Sequence, residues 1–235
     1  KNLNSINFGS YEGRLKIGGI KLILDGSPQG KTAYLTEPYY KPPHSESDSY
    51  KGYPLIPQSE VSKWVKKYAD LNIPIMAHAN GDAAADMLIK AVKDADITSD
   101  HRTIMIHAQT VREDQLDQMK KLKIIPSYFS THTFYWGDWH RDSVFGEDRA
   151  MRISPTKSTL KRKMPFTVHN DAPVVPPDMI RLLWSTTNRK TRSGKVLGGE
   201  QKISTYSALE AMTINAAYQH FEDDIKGTIE VGKQA

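Results

Sequence analysis

The stretch that decides the fold is residues 72–95, NIPIMAHANGDAAADMLIKAVKDA. It starts as a short apolar run, reaches His78, turns at Asn80-Gly81-Asp82 and continues as an alanine-rich helical pattern. A buried strand that leads directly into a helix is the repeating unit of parallel α/β proteins. Glycine suits the turn, and an acidic residue in the first helical turn complements the helix dipole. The same unit recurs on both sides of this stretch.

Five strands alternate with helices along the chain. The strands are predicted at Leu15–Leu24, Ile73–Ala77, Thr103–Ile106, Ile124–Phe129 and Phe166–His169. This alternation indicates a parallel sheet with both faces covered. Two long segments, 26–57 and 130–154, are predicted to be loops over the mouth of an active site, because long loops in compact domains tend to be functional. We treat residues 1–235 as one partial barrel domain.

Four residues with metal-type side chains lie at or just past strand ends: Lys21, His78, His107 and Asp171. They are separated by 57, 29 and 64 residues. A (β/α)₈ TIM barrel of about 250 residues allots roughly 31 residues to each strand–helix unit, so the gaps correspond to about two, one and two units. Residues at these ends would converge on the barrel mouth. Imidazole and carboxylate ligands suit zinc and similar divalent ions.

Each of these residues also has a purely structural interpretation. His78 and His107 would then be hydrogen-bonded core histidines, and Asp171 would cap the segment before Pro173. Lys21 would be a strand lysine that faces solvent. We expect Lys21 to be buried, because parallel barrel strands are covered on both faces, and a buried lysine needs a partner or a modification.

Four further residues are secondary candidates. His169 shares a strand face with Asp171 by period two, so it either lines the pocket or is a hydrogen-bonded core histidine. His132 and Trp136 belong to the aromatic segment 130–154 and are predicted to contact substrate, although a surface segment could have the same composition. Asp25 orients Lys21, binds metal or only forms the turn in Asp25-Gly26.

The composition excludes several classes of protein. The chain has 38% hydrophobic and 25% charged residues and no cysteine, which excludes disulfides, Cys-ligated zinc and thiol nucleophiles. No apolar run approaches the roughly 18 residues of a membrane span. The net charge of +5 comes without a long basic block or a nucleic-acid motif. We predict binding to neither nucleic acid nor membrane, favour a cytoplasmic location and expect a homo-oligomer.

Several runs together resemble a known family. They are IKLILDGSPQGKTAYL, IMAHANGDAA, IMIHAQ, VHNDAPV and ALEAMTINAAY followed by GTIEVGK. These runs resemble the amidohydrolase superfamily, and within it amidohydrolase family 3, the branch that contains N-substituted formamide deformylases. The resemblance extends from about Leu15 to Lys233. It implies a (β/α)₈ barrel of the metal-dependent hydrolase type, of which this chain carries about strands 4–8, with strands 1–3 and the β-sandwich ends outside it.

The resemblance also implies roles for the candidate residues. Lys21, His78, His107 and Asp171 would end barrel strands 4, 5, 6 and 8. The histidines would bind a divalent metal, with zinc expected, and Asp171 would bind metal and transfer protons. The strand-4 lysine of the superfamily is often carboxylated and bridges two metals, so one ion and two ions are both open. The strand-1 His-x-His pair of the superfamily is absent from this sequence.

The implied activity is hydrolysis of a C–N bond in a small amide, N-acyl or N-formyl compound. Metal-activated water would be the nucleophile, and Asp171 would be the proton shuttle. The alternative from a different functional class is a non-catalytic regulatory or binding protein on a decayed amidohydrolase scaffold. Metal content and turnover on formamides or N-acyl amines distinguish the two.

Overall fold

The computed structural model describes residues 6–234. The strands are β1 (Tyr11–Glu12), β2 (Leu15–Lys16), β3 (Ile20–Ile23), β4 (Ile75–Ala79), β5 (Ile104–His107), β6 (Ile125–Tyr128) and β7 (Thr167–Val168). The helices are α1 (Gln58–Asp70), α2 (Asp82–Ala95), α3 (Glu113–Lys121), α4 (His132–Trp139), α5 (Glu147–Ala150), α6 (Thr156–Lys161), α7 (Met179–Asn188), α8 (Thr205–Met212) and α9 (Ile214–Gln219). A π-helical turn at His140–Val144 continues α4.

Strands β3 to β7 form one parallel sheet in the order β3-β4-β5-β6-β7. The registers pair His78 with Ile23 on one side and with Ile106 on the other. Every strand lies beside its neighbour in the chain, as in a barrel, whereas a doubly wound sheet reverses its order at a switch point. The predicted five-stranded parallel sheet is confirmed, and the chain contributes part of a barrel-type domain.

The two faces of this sheet differ in burial. In β4, Ile75, Ala77 and Ala79 are buried, whereas Met76 and His78 are only half-buried. The buried set belongs to the main hydrophobic core, which also contains the inward faces of α1 and α2. The other face, which carries His78, would be the inner face of a barrel. Because this face is partly exposed, the predicted burial of Lys21 is not observed.

The sequence prediction of a single strand from Leu15 to Leu24 is wrong. The chain instead forms the short antiparallel pair β1–β2 and then enters β3 after Gly18-Gly19. Gly19 has φ +155°, and a Cβ at this position would lie 2.3 Å from the carbonyl oxygen of Pro74. This close backbone approach, together with the hydrogen bond from Ile20 N to Pro74 O at 3.0 Å, interrupts the strand at the glycine pair.

Segment 130–154 is also different from its predicted loop, since it contains α4, the π-helical turn and α5. The helix packs tightly: a Cβ on Gly137 would lie 2.7 Å from the Thr191 side chain. Its aromatic residues occupy several sides of the helix and leave no single apolar stripe in the sequence, which is why the helical period is hard to see. Segment 26–57 carries no strand or helix before Pro57, as predicted.

Segments 26–57 and 130–154 pack together, and we call the pair the cap. Tyr40 N donates to Val144 O at 2.9 Å, and Lys41 N donates to Ser143 O at 3.0 Å. Together with Leu197 from a later part of the chain, their apolar residues form a second small core, which consists of Leu35, Tyr39, Val144, Phe145, Ala150 and Ile153. Because the two segments follow β3 and β6, the cap bridges the carboxyl edge of the two strands between them.

Helix length bears on membrane spanning. The longest helix within residues 6–234 is α2, with 14 residues, whereas about 20 are needed to cross the hydrocarbon core of a bilayer. No described helix is long and apolar enough to cross a membrane.

Candidate metal centre

Three strand-end side chains converge at the carboxyl edge of the sheet. His107 is the last residue of β5, and His169 and Asp171 follow β7. One ligand-type atom from each of these three residues lies within 4.8 Å of the others. The carboxyl ends of parallel barrel strands meet at one mouth, which explains why residues 62 or more positions apart come together.

Left-handed backbone conformations help to bring these side chains together. His107 has φ +74° and Asp171 has φ +57°, and residues other than glycine adopt such values at a cost of order 1–3 kcal/mol. Strand alternation alone would place His107 on the same side as Met105, which is buried under the helices. The positive φ at the strand end instead brings the His107 ring within 4.5 Å of the His78 ring centroid.

His78 joins the cluster through His107. His78 Nδ1 lies 3.1 Å from His107 Nε2, whereas His78 Nε2 lies 3.1 Å from the carbonyl oxygen of Gly26. Nε2 also lies 3.0 Å from Asn80 Nδ2, an amide nitrogen that itself donates to the Gly26 carbonyl at 3.0 Å. Because the carbonyl only accepts, we assign the proton of the neutral ring to Nε2, which leaves the lone pair on Nδ1. Two nitrogens of one tetrahedral zinc site at 2.0–2.1 Å from the ion are separated by about 3.3 Å, so the distance between these two nitrogens fits two ligands of one ion. The group of three residues whose ligand atoms all lie close together within residues 6–234 does not include His78.

Burial keeps these imidazoles neutral. Desolvation lowers the pKa of His107 well below its ordinary value and lowers the pKa of His169 to about 3. The pKa of His78 is also lowered, chiefly by burial. Neutral imidazole is the form that binds metal ions, because protonation would remove the lone pair that serves as the ligand.

One orphaned atom tests whether a metal fits the cluster. His169 Nε2 is buried and finds no hydrogen-bond partner among residues 6–234, whereas His107 faces His78 with Nε2 and its own unpartnered Nδ1 lies on the other side of the ring. Leaving a buried polar atom unsatisfied costs about 1–3 kcal/mol, so such atoms usually serve a ligand or a function. His169 Nδ1 already pairs with Ser127 Oγ at 2.9 Å, which fixes the ring with Nε2 free. The donor set of imidazole nitrogens and a carboxylate fits a divalent metal ion.

His169 is more central to the site in the structure than the sequence analysis predicted. The sequence placed His169 among the secondary candidates, with a core role as one interpretation, whereas its ring now lies 5.2 Å from the His107 ring and its Nε2 is unpartnered. The period-two spacing of His169 and Asp171 was the available signal. It had little weight, because the same spacing occurs for any pair on one strand face.

The expectation that Lys21 is buried is wrong. Its side chain is exposed on β3, at the edge of the described sheet. The sequence argument assumed that both faces are covered, but the inner face is open in the described residues. Lys21 is nevertheless close enough that its positive charge contributes to lowering the pKa values of His78, His107 and His169.

His132 and Trp136 lie on one face of α4 beside the cluster. The His132 ring is 6.5 Å from the His107 ring and 5.3 Å from the Trp136 ring. His132 is fully buried and burial lowers its pKa well below its ordinary value, whereas Trp136 is half-buried. Phe129 stacks on His169, with the ring centroids 5.6 Å apart. The rings of Phe129, His132 and Trp136 together form an aromatic wall beside the cluster. Of the two predicted substrate contacts, Trp136 is thus the one with exposed surface.

Asp25 is a buried residue whose importance the sequence left open. Its side chain is fully buried directly after β3, and burial raises its pKa to about 7 against the lowering effect of three backbone hydrogen bonds. Asp25 Oδ1 lies 3.6 Å from His78 Nε2. The sequence signal, an aspartate before a glycine at a strand end, is shared with ordinary turns.

The fold and the site define a class: a parallel barrel-type α/β protein with a histidine–aspartate cluster at its carboxyl edge. A family model described as the amidohydrolase family matches residues 4–235. The chain therefore belongs to the amidohydrolase family, as the sequence runs suggested.

Individual relatives agree with this assignment. The chain is 22% identical over 227 residues to a Bacillus subtilis protein named amidohydrolase YtcJ. The match covers 94% of this chain and 41% of that protein. It is 24% identical over 194 residues to the N-substituted formamide deformylase of Arthrobacter pascens, with 82% and 36% covered. A solved metal-dependent hydrolase of Pyrococcus horikoshii, itself uncharacterized, superposes with a TM-score of 0.84 at 28% identity, covering 99% of this chain and 46% of that one. The chain thus spans less than half the length of these relatives.

Proposed function

We propose that this chain forms part of the active site of a metal-dependent hydrolase that cleaves a C–N bond in a small amide, N-acyl or N-formyl compound. The observation that carries the proposal is the cluster of His107, His169 and Asp171, in which the buried Nε2 of His169 lacks a partner among residues 6–234. Membership of the amidohydrolase family and the name of the formamide deformylase relative support the C–N bond as the target.

The residues would divide the work as follows. His107, His169 and Asp171 would hold the divalent ion, and His78 would bind it through Nδ1, beside His107 Nε2. The ion would lower the pKa of a water molecule and polarise the substrate carbonyl. Asp171 would accept the proton of the attacking water and return it to the nitrogen of the departing amine, as a positioned general base and acid does. Trp136 would contact the acyl or amine substituent from the wall of α4.

Neutral imidazoles suit this chemistry at physiological pH. Because burial holds the pKa values of His107 and His169 below their ordinary values, neither ring needs to lose a proton before it binds the ion. Lys21 would then supply a positive charge near the site, and carboxylation of Lys21 would turn it into a further ligand.

The test is metal content and turnover, measured together on the intact protein. We expect a stoichiometric divalent ion and hydrolysis of N-substituted formamides or N-acyl amines that is lost on chelation and restored by zinc or a similar ion. A protein that binds metal but hydrolyses none of these substrates would instead favour the non-catalytic binding protein. A protein that binds no divalent ion contradicts the proposal altogether.

A further inference from the structure

The proposed mechanism does not use the buried carboxylate of Asp25. Its Oδ1 accepts a hydrogen bond from Asn80 N at 2.9 Å, and its Oδ2 accepts from Gly81 N at 2.8 Å and from Tyr34 N at 3.0 Å. A buried carboxylate is costly unless its oxygens are hydrogen-bonded, and these three donors satisfy it. The donors come from two separate segments, namely the turn between β4 and α2 and the first part of the cap.

The turn that Asp25 holds begins two residues after His78. Gly81 leaves no room for a side chain there, since a Cβ would lie 1.8 Å from the carbonyl oxygen of Tyr34. The same carbonyl accepts a hydrogen bond from Ala84 N at 3.4 Å. The turn, the start of α2 and the cap are therefore in direct backbone contact around the Asp25 carboxylate.

A second link runs through the residue that follows Asp25. The carbonyl oxygen of Gly26 accepts from His78 Nε2 at 3.1 Å and from Asn80 Nδ2 at 3.0 Å. Fixing Asp25 therefore also fixes the acceptor of the His78 ring proton. The Asp25 carboxylate, 3.6 Å from the same nitrogen, adds an electrostatic preference for a proton there. A proton on Nε2 leaves the Nδ1 lone pair, which lies 3.1 Å from His107 Nε2.

We propose that Asp25 is a positioning residue of the candidate metal centre: it holds the Asn80-Gly81 turn and the Gly26 carbonyl so that His78 keeps its proton on Nε2 and presents Nδ1 beside His107. This inference rests on the proposed function, in which His78 belongs to the metal site. Groups that orient a ligating histidine through its other ring nitrogen typically change metal affinity by about 10–100-fold when they are removed. Through Tyr34, Asp25 also connects the histidine to the cap.

The first test is a double-mutant cycle on zinc affinity in the intact protein. Asp25→Asn keeps the volume but places an NH₂ group where a backbone N–H needs an acceptor. We expect it to raise the Kd for Zn²⁺ by about 10–100-fold, but by less than about twofold in a His78→Ala background, because Asp25 acts through His78.

The outcomes separate this inference from the proposed function. If Asp25→Asn raises the Kd equally in both backgrounds, or in neither, the positioning role is overturned while the metal site stands. If His78→Ala itself leaves the Kd unchanged, His78 is no part of the metal site, and the inference fails together with that part of the proposed function.

Asp82 offers a matched control. It is another buried carboxylate that fastens the cap, since it accepts from Thr36 N at 2.9 Å and from Arg112 Nη1 at 3.1 Å, but it makes no hydrogen bond to His78 among residues 6–234. Asp82→Asn should lower the free energy of unfolding without changing the Kd for Zn²⁺. An equal loss of zinc affinity in both variants would mean that general loosening of the cap, and not positioning of His78, causes the effect.

The second test reads the tautomer of His78 directly. Nitrogen-15 NMR of the metal-free protein should show His78 protonated on Nε2, and Asp25→Asn should produce a mixture of the two neutral tautomers. A purely structural role would leave the tautomer unchanged. If Asp25→Asn does not fold, the wild-type spectrum still decides the matter, because His78 protonated on Nδ1 overturns the proposal.

Discussion

His169 gives the sharpest test of the candidate centre, because the sequence analysis made it a secondary candidate, whereas the structure places it among the three clustered residues. We consider His169→Asn. The Asn amide nitrogen can replace Nδ1 and keep the hydrogen bond to Ser127, which is 2.9 Å long in the wild type, but the variant has no atom in place of Nε2. In the absence of metal the change removes a buried unpartnered nitrogen, worth about 1–3 kcal/mol, and loses some packing. The two effects offset each other, so we expect the free energy of unfolding to stay within about 1 kcal/mol of the wild type.

The difference appears when metal is added. An ion at 100 times its Kd stabilises a folded protein by about 2.7 kcal/mol. If loss of a ligand raises the Kd by about 100-fold, the same metal concentration stabilises His169→Asn by only about 0.4 kcal/mol. At about 2–4 °C per kcal/mol for a domain of this size, Tm should rise by about 5–11 °C in the wild type and by about 1–2 °C in the variant.

Calorimetry with and without Zn²⁺ measures both values. His101→Asn is the control, because His101 is a partly buried histidine bound to Thr103 Oγ1 and Leu122 O, and it precedes β5 at the opposite edge of the sheet. This variant should lose stability and keep the full rise in Tm. If His169→Asn also keeps the full rise, His169 is only a core histidine hydrogen-bonded to Ser127, and the ligand set proposed above is wrong.

Three other perturbations have defined outcomes. Asp171→Asn should lower turnover per bound metal by about 10²–10⁴-fold, and near-normal turnover with metal bound would mean that the proton shuttle is another group. Gly81→Ala should lower the free energy of unfolding in urea by about 1–3 kcal/mol, because its Cβ would lie 1.8 Å from Tyr34 O; a change below about 0.5 kcal/mol contradicts the close contact. Burial raises the pKa of Glu222, but hydrogen bonds from Lys226, Tyr11 and Lys16 outweigh it and lower this pKa from 4.5 to about 2. This ion pair should therefore stabilise the fold above about pH 4.5 and lose about 1–3 kcal/mol between pH 4.5 and 2; in Glu222→Gln, urea unfolding should show that part of the pH dependence removed.

The strand framework was predictable because burial leaves a clear mark on sequence. Each of the strands from β4 to β7 lies in a short, mostly apolar run that ends in a polar residue or is followed by one within two positions, so the five-stranded parallel sheet followed from the pattern alone. The positions of His78 and His107 after two such runs were equally visible. The strand break at Gly19 was less predictable, since it depends on the approach of Pro74 from a distant part of the chain.

The arrangement of the site was predictable only in part. The positive φ values of His107 and Asp171 are imposed by tertiary contacts, because neither residue type favours that conformation strongly enough to reveal it in sequence. The cluster of His169 with them depends on these backbone turns. Lys21 was misplaced for a different reason: its predicted burial assumed a covered inner face, and coverage is a property of the whole assembly of strands rather than of β3.

The cap and the histidine–aspartate cluster are held in place by different hydrophobic cores. The candidate ligands come from strand ends whose geometry the main core fixes, whereas the cap has its own small core around Tyr39 and Phe145. Residues in the cap can therefore change while the packing under His107 and Asp171 stays the same, which is how a barrel retains its chemistry and changes its substrate. Asp25 is where the two supports meet, because its carboxylate binds both the cap, at Tyr34 N, and the turn after His78. A movement of the cap would therefore reach the candidate metal centre through Asp25, and we expect substitutions in the cap far from this carboxylate to affect substrate choice more than metal affinity.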